Sequence, residues 1–239
     1  MEGVSEAEGY LKIAVLAACV IKGLFPLLQG EDVGDHAVGF QVPLPDVLNH
    51  KGVGIGAQVG AQNIQLLPVA DNGKVQGALI SFDPNLRPPL WPSLEDAARQ
   101  IREGLALCDI LKIADNEIEF ITGEKDFDRA AGILQREYPN IRILNVTAGA
   151  DGSYSYSCGH RVYVPGFCLG GTIETTGAGD TFCACVLDYV LTHGAEGLTP
   201  EQLTEMLRFA NAAAYLVTTR KGAIRSMPEK EQVLRILEG

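Results

Sequence analysis

From residue 76 onward, short apolar runs alternate with stretches whose apolar residues recur every three to four positions. That alternation predicts strands joined by amphipathic helices, which close into a parallel sheet covered on both faces. Ala78–Phe82 reads as the first clear strand, Asp109–Ala114 as the second and Ile141–Val146 as the third. Between the first two, Ser93 caps a helix whose apolar positions Leu94, Ala97, Ala98, Ile101, Leu105 and Cys108 keep helical spacing. Asn116–Thr122 reads as a short helix stopped by Gly123, and Phe127–Glu137 as another. Ser153–Ser157 and Arg161–Val164 flank Cys158-Gly159-His160, which predicts a hairpin. A helix follows Asp180 through Phe182, Val186, Tyr189 and Val190. Thr199-Pro200-Glu201-Gln202 combines an N-cap, a proline in the first turn and a Gln at the third helical position, and it opens a long helix through Leu203, Met206, Leu207, Ala210 and Ala214. Pro228 begins the last helix.

The first 75 residues do not continue the pattern. Ile13–Leu28 is apolar, but Lys22 interrupts it, Pro26 would end a helix, and Glu2, Glu6 and Glu8 precede it; it reads as buried core, not as a signal peptide or membrane span. Gly54, Gly56 and Gly60 lack the spacing of a dinucleotide-binding loop, so Gly52–Gly60 reads as a flexible loop. With 239 residues, 46% of them hydrophobic, the chain is long enough for one large α/β domain, divided here into an atypical part at 1–75 and a main region at 76–239. A net charge of −11 with scattered Lys and Arg leaves no basic stripe, which argues against nucleic acid or an anionic membrane as partner. Cys19, Cys108, Cys158, Cys168, Cys183 and Cys185 show no Cys-x-x-Cys pair, which points to reduced thiols in a cytoplasm. His36, His50, His160 and His193 have no ligand-like spacing and read as surface residues.

The chemistry concentrates in Glu174–Cys183, where two glycines and a carboxylate stand at the turn into an apolar helix. Amides at a helix N-terminus attract anions, Gly177 and Gly179 let the main chain approach phosphate oxygens, and Asp180 follows within reach of an attacking hydroxyl. Such a site suits phosphoryl transfer, in which catalysis is mostly positioning and charge stabilisation. The competing reading makes Asp180 a plain N-cap. No Gly-x-x-x-x-Gly-Lys-Ser/Thr run occurs, so the chain is not a P-loop protein.

Taken with Ile80–Ser93, Lys112–Gly123, Val146–Ser153, Phe209–Ala214 and Thr218–Ile224, this segment resembles the ribokinase-like (PfkB) carbohydrate kinases, with the motifs in the same order. Within that family, Asp83-Pro84-Asn85-Leu86-Arg87 followed by Leu90-Trp91 is most similar to fructokinases. The resemblance covers about residues 76 to 239 and implies a ribokinase-like three-layer αβα sandwich with a mostly parallel sheet. The N-terminal strands and lid are reduced or missing, and the Gly-Gly-x-x-x-Asn sugar motif is not visible; Gly30–Gly34 is a weak match to the segment that follows that motif.

The resemblance implies ATP, Mg²⁺ and a sugar as ligands, with K⁺ as a further ion, and allows a homodimer. Asp180 would be the general base, with the amides of Gly177, Ala178 and Gly179 holding the transferring phosphate. Asn116 and Glu119, three apart on one helix face, would position hydrated Mg²⁺ and the nucleotide phosphates; the alternative is an acidic helix start in which Glu117 takes part equally. Thr147, Gly149 and Gly152 match the nucleotide turn, which departs from the family at Ala148 and Ala150, and Asn211 matches a residue near the nucleoside or is a polar packing residue. Glu174, Thr176, Val217, Arg220, Gly222 and Ser226 fall at the family's monovalent-cation positions, with Glu where the family often has Asp. Asp83, Asn85 and Arg87 end a strand where a crevice forms and would face substrate, or Asp83 and Arg87 pair across the turn. Besides a fructokinase, the chain reads as a nucleotide-binding remnant without turnover, or as a kinase for ribose or 2-keto-3-deoxygluconate.

Overall fold

The chain's computed structural model describes residues 13–17, 53–58, 79–222 and 226–239. The strands are β1 (Ile13–Ala17), β2 (Val53–Gln58), β3 (Leu79–Asp83), β4 (Ile110–Ala114), β5 (Ile143–Thr147), β6 (Ser153–Ser157) and β7 (His160–Val164). The helices among the described residues are α1 (Leu94–Leu107), α2 (Asp115–Thr122), α3 (Phe127–Glu137), α4 (Ala178–His193), α5 (Pro200–Thr218) and α6 (Lys230–Glu238). The strands form one sheet in the order β2-β1-β3-β4-β5-β6-β7, parallel from β2 to β5 and antiparallel beyond.

Alternation along the central strands sends side chains to opposite faces, and each face builds its own core. On one side Ile80, Phe82, Leu111, Ile113, Leu144 and Val146 pack with Ile101 of α1, Ile118 of α2 and Leu134 of α3. On the other, Leu79, Ile110, Ile143, Val162 and Val164 pack with Phe182 and Val186 of α4 and Leu203 and Leu207 of α5. The result is the expected three-layer αβα arrangement with a mostly parallel sheet. The α1 helix crosses β3 closely, since a Cβ at Gly104 would stand 2.6 Å from the Phe82 ring.

Local signals set most boundaries. Ser93 accepts the Asp96 N–H at the start of α1, and Thr199 and Gln202 form a capping box at the start of α5. The hairpin turns through Cys158 (φ 51°) and Gly159 (φ 77°), the left-handed pair that matches strand twist. One expectation fails: Val53–Gln58, read as loop, is strand β2, paired in parallel with β1. Gly54 and Gly56 weaken the local strand signal, whereas the partner strand lies far away in sequence. The reduced N-terminal part thus adds β1 and β2 to the sheet. The last helix begins at Lys230 with Glu229 as N-cap, two residues beyond Pro228. Gly30–Gly34, Lys22, Pro26, Cys19, His36, His50 and Gly60 lie outside the described residues. No described helix is long and apolar enough to cross a membrane.

Candidate active site

The carboxyl ends of β3, β4 and β5 lie side by side, with Phe82 paired to Leu111 and Ala114 to Thr147. Strand order reverses between β1 and β3, where Ala17 pairs with Asp83, and open parallel sheets form their ligand crevice beyond the carboxyl ends at such a reversal. The segments bearing Asp83, Asn85 and Arg87, Asn116 and Glu119, and Thr147, Gly149 and Gly152 all leave the sheet at this edge.

The first turn of α4 reaches the same edge. Gly177 is its N-cap with a φ of 87°, so Asp180 is the third helical residue and not the N-cap of the competing reading. Ala178 N–H donates to Thr175 O at 3.2 Å, which removes it from the expected set of three phosphate-binding amides. The Gly179 and Asp180 N–H groups make no backbone hydrogen bond among the described residues, and the Asp180 side chain is exposed. Two free amides, the positive end of a helix dipole and an open carboxylate therefore coincide.

Beneath this turn lies a buried polar row. On the face covered by α4 and α5, each central strand passes from apolar to polar toward its carboxyl end: Leu79-Ser81-Asp83 in β3, Ile110-Lys112 in β4 and Ile143-Asn145 in β5. Lys112 Nζ donates to Asp83 Oδ1 at 3.2 Å, with both side chains 7% exposed. Arg87 is exposed and donates to Leu86 O, so the Asp83–Arg87 pairing is replaced by Asp83–Lys112. Burial pushes the Asp83 carboxyl up to about 6, against the pull of the Lys112 ammonium, while Glu117 and Asp180 add to the rise. Burial works against the Lys112 ammonium too, but the Asp83 and Glu117 carboxylates outweigh it and leave its pKa above that of free lysine. Burial holds the Cys183 thiol at about 12, an inert side chain one turn after Asp180.

Glu117 and Glu119 have different tasks. Glu117 is buried and its carboxylate accepts from Leu86 N–H at 2.6 Å and Ala114 N–H at 2.8 Å, clamping the 84–87 loop to the start of α2. Asn116 and Glu119 are exposed on α2, and Lys125 Nζ stands 3.5 Å from the Glu119 carboxylate. In the turn after β5, Ala148 N–H donates to Gly152 O at 2.9 Å around a 3-10 turn at Gly149–Asp151. Gly152 has a φ of 107°, and a Cβ there would stand 2.2 Å from Val164 O. Asn211 faces the back of this turn: it accepts from Ser153 Oγ at 2.9 Å and donates to Val164 O at 3.1 Å and Pro165 O at 3.2 Å. Its amide is thus engaged within the chain, as a polar packing residue would be.

The cation positions also converge. Ile173 N–H and Glu174 N–H both donate to Thr218 O, and Gly222 N–H donates to the Glu174 carboxylate at 3.3 Å. Ser226 Oγ donates to Gly222 O, Val217 O accepts from Arg220 N–H, and a hydrogen bond from Thr176 holds the Glu174 carboxyl below the usual range. A groove of about 540 Å³ between α5 and α6, lined by Arg208, Phe209 and Leu234 among others, includes none of these residues. His160 and His193 are exposed, as expected.

The sequence shows Lys112 only as the first residue of a motif and Asp83 only as a substrate-facing residue or a partner of Arg87, and does not reveal that the two pair in a buried polar row. The available signal is a lysine inside the apolar run Ile-Leu-Lys-Ile-Ala, since a charge in a strand buried on both faces demands a partner.

Residues 64–230 match the model of the pfkB family carbohydrate kinases. Fructokinase-2 of Solanum habrochaites is 39% identical over 166 residues, 70% of this chain and 50% of that protein. Fructokinase-1 of Zea mays is 37% identical over 165 residues, 69% of this chain and 50% of that protein. The chain spans about half the length of these curated relatives. Among solved structures, the fructokinase of Vibrio cholerae O395, bound to fructose, ADP and calcium, superposes with a TM-score of 0.64 at 26% identity, covering 72% of this chain and 54% of that one. The ATP-bound fructokinase of Xylella fastidiosa gives a TM-score of 0.62 at 27% identity, covering 74% and 58%. With its motifs gathered at one sheet edge and its fold shared with these kinases, the chain belongs to the pfkB family of carbohydrate kinases.

Proposed function

We propose that the chain phosphorylates a sugar hydroxyl with ATP, converting fructose to fructose 6-phosphate. The observation that carries this reading is the first turn of α4, which presents the Gly179 and Asp180 amides and the exposed Asp180 carboxylate at the same edge as the Thr147–Gly152 turn. The sugar's C6 oxygen attacks the γ-phosphorus, the bond to the β–γ bridging oxygen breaks, ADP departs, and the hydroxyl proton passes to Asp180. The Gly179 and Asp180 amides stabilise the transferring oxygens. Thr147, Gly149 and Gly152 receive the nucleotide, and Asn211 acts from behind by fixing their turn. Asn85 and Arg87 face the substrate crevice, whereas the buried Asp83 supports it. The fructokinases among its relatives favour fructose as the acceptor. Phosphorylation of ribose or 2-keto-3-deoxygluconate, but not fructose, in a panel of the three with MgATP would displace that choice. The enzyme of this reading works in the cytoplasm on small molecules.

Mg²⁺ neutralises phosphate charge when bound. Asn116 and Glu119 offer exposed oxygen donors, and no group of three or more His, Cys, Asp or Glu among the described residues forms a metal cage, a donor set that suits an ion keeping most of its waters. Glu119→Gln is expected to raise the Mg²⁺ concentration for half-maximal rate by about tenfold, the scale of an outer-shell metal partner. An unchanged Mg²⁺ titration refutes that role.

K⁺ is assigned to the junction of Glu174 and Thr176 with Val217, Arg220, Gly222 and Ser226, where loop and helix end are already tied together. Rate and melting temperature are expected to be higher in K⁺ than in tetramethylammonium, an ion too large for such a site, and equal values count against it.

A further inference from the structure

The buried Lys112 joins the end of β3 to the first turn of α4. Its ammonium contacts Asp83 at the end of β3, and a Cβ on Gly179 would stand 3.1 Å from Nζ, so the ammonium lies directly against the first turn of α4. The neighbouring Glu117 carboxylate grips the 84–87 loop and the start of α2. A cation at a helix N-terminus has the unfavourable sign for the helix dipole, and a buried ion pair is weak evidence for stability. The same charge has the favourable sign for an anion on that turn.

We propose that Lys112 is a positioning residue of this site: its ammonium fixes the ends of β3 and β4 against the first turn of α4 and supplies buried positive charge on which a polyphosphate at the Gly179 and Asp180 amides depends. The proposal rests on reading that turn as a phosphate site, but not on the identity of the acceptor. Asp83 holds the ammonium by direct contact and Glu117 attracts it by charge, while Gly179 lies against it. Asn145, in register with Lys112 on β5, and Ser155, in register with Asn145 on β6, continue the polar row; neither side chain has a hydrogen-bond partner among the described residues.

The test is calorimetric titration of inorganic tripolyphosphate into the full chain, its Lys112→Met variant and the Asp83→Asn/Lys112→Met double variant, with melting temperatures in parallel. Losing a unit charge this close to the bound anion is expected to weaken tripolyphosphate binding by about tenfold or more. The double variant, which leaves no unpaired buried carboxylate at position 83, is expected to regain the melting temperature lost in Lys112→Met without regaining affinity. A double variant that binds tripolyphosphate as the unaltered chain does makes Lys112 purely structural and overturns the proposal. Should Lys112→Met not fold, the double variant decides alone. In the unaltered chain, the ¹⁵N resonance of the Lys112 ammonium is expected to move on adding tripolyphosphate; a resonance that stays put also overturns the proposal, whether or not either variant folds. Absence of any tripolyphosphate binding overturns this proposal, whereas the kinase reading stands or falls on fructose-dependent ADP formation. The expected binding difference without fructose-dependent turnover removes only the sugar kinase reading.

Discussion

Replacing Asp180 with alanine is expected to lower sugar-dependent ADP formation by about two to four orders of magnitude, the usual contribution of a positioned acid or base, while ATP binding stays nearly intact. The carboxylate is exposed, and its side chain makes no hydrogen bond or ion pair among the described residues, so its removal opens no cavity and strands no partner. What stability it adds comes from its place in the first turn of α4, where a carboxylate and the helix dipole together contribute about 1 kcal/mol or less. The amides of Gly179 and Asp180 belong to the backbone and survive the substitution. Paired measurements of turnover and ATP affinity therefore separate proton acceptance from phosphate binding. Retention of most of the rate would remove Asp180 as the base.

Gly152→Ala is expected to destabilise the chain by about 3 kcal/mol, the upper range for forced overpacking, and to weaken ATP binding with it. The added methyl would meet Val164 O at 2.2 Å and Gly166 N at 2.6 Å, both backbone atoms with no rotamer to escape into. Gly166 meets the turn from the other side, its own Cβ position 2.2 Å from Ala150 O, so turn and following loop cannot part without breaking two close approaches. The backbone at Gly152, with a φ of 107°, is closed to L side chains as well. Gly149→Ala is the control: its φ is 54° but nothing lies within 4 Å of the added atom. There the cost is the left-handed backbone alone, about 1 kcal/mol. Thermal unfolding and ATP titration of the two variants distinguish a turn held by packing from one held only by conformation, and equal effects would contradict the packing argument.

The two glycines show how much of the site was legible. The turn itself follows from Thr147, Gly149 and Gly152 at the end of an apolar run, because such punctuation is local. The reason Gly152 must be glycine is not local, since the obstructing carbonyl belongs to the end of β7. The hairpin at Cys158-Gly159 and the caps at Ser93 and Thr199 were likewise readable, each involving contacts within a few residues. Strand β2 was hidden because its glycines weaken the local signal and pairing with β1 supplies the order. Asp83 and Arg87 are close in sequence and of opposite charge, yet Asp83 turns into the buried face and takes Lys112, 29 residues away. Glu117 and Glu119 could not be separated by spacing alone; the amides of Leu86 and Ala114 claim the first and leave the second to solvent. Among the motif residues themselves, side chains that pack away from solvent, such as Asn211, are where spacing said least.

The most direct test is ADP formation from MgATP by the full chain, measured with and without fructose beside titrations of each ligand. The expected result is fructose-dependent ADP formation with fructose 6-phosphate as the product. ATP binding with no fructose binding and no fructose-dependent turnover would contradict it and leave a nucleotide-binding protein on a kinase fold.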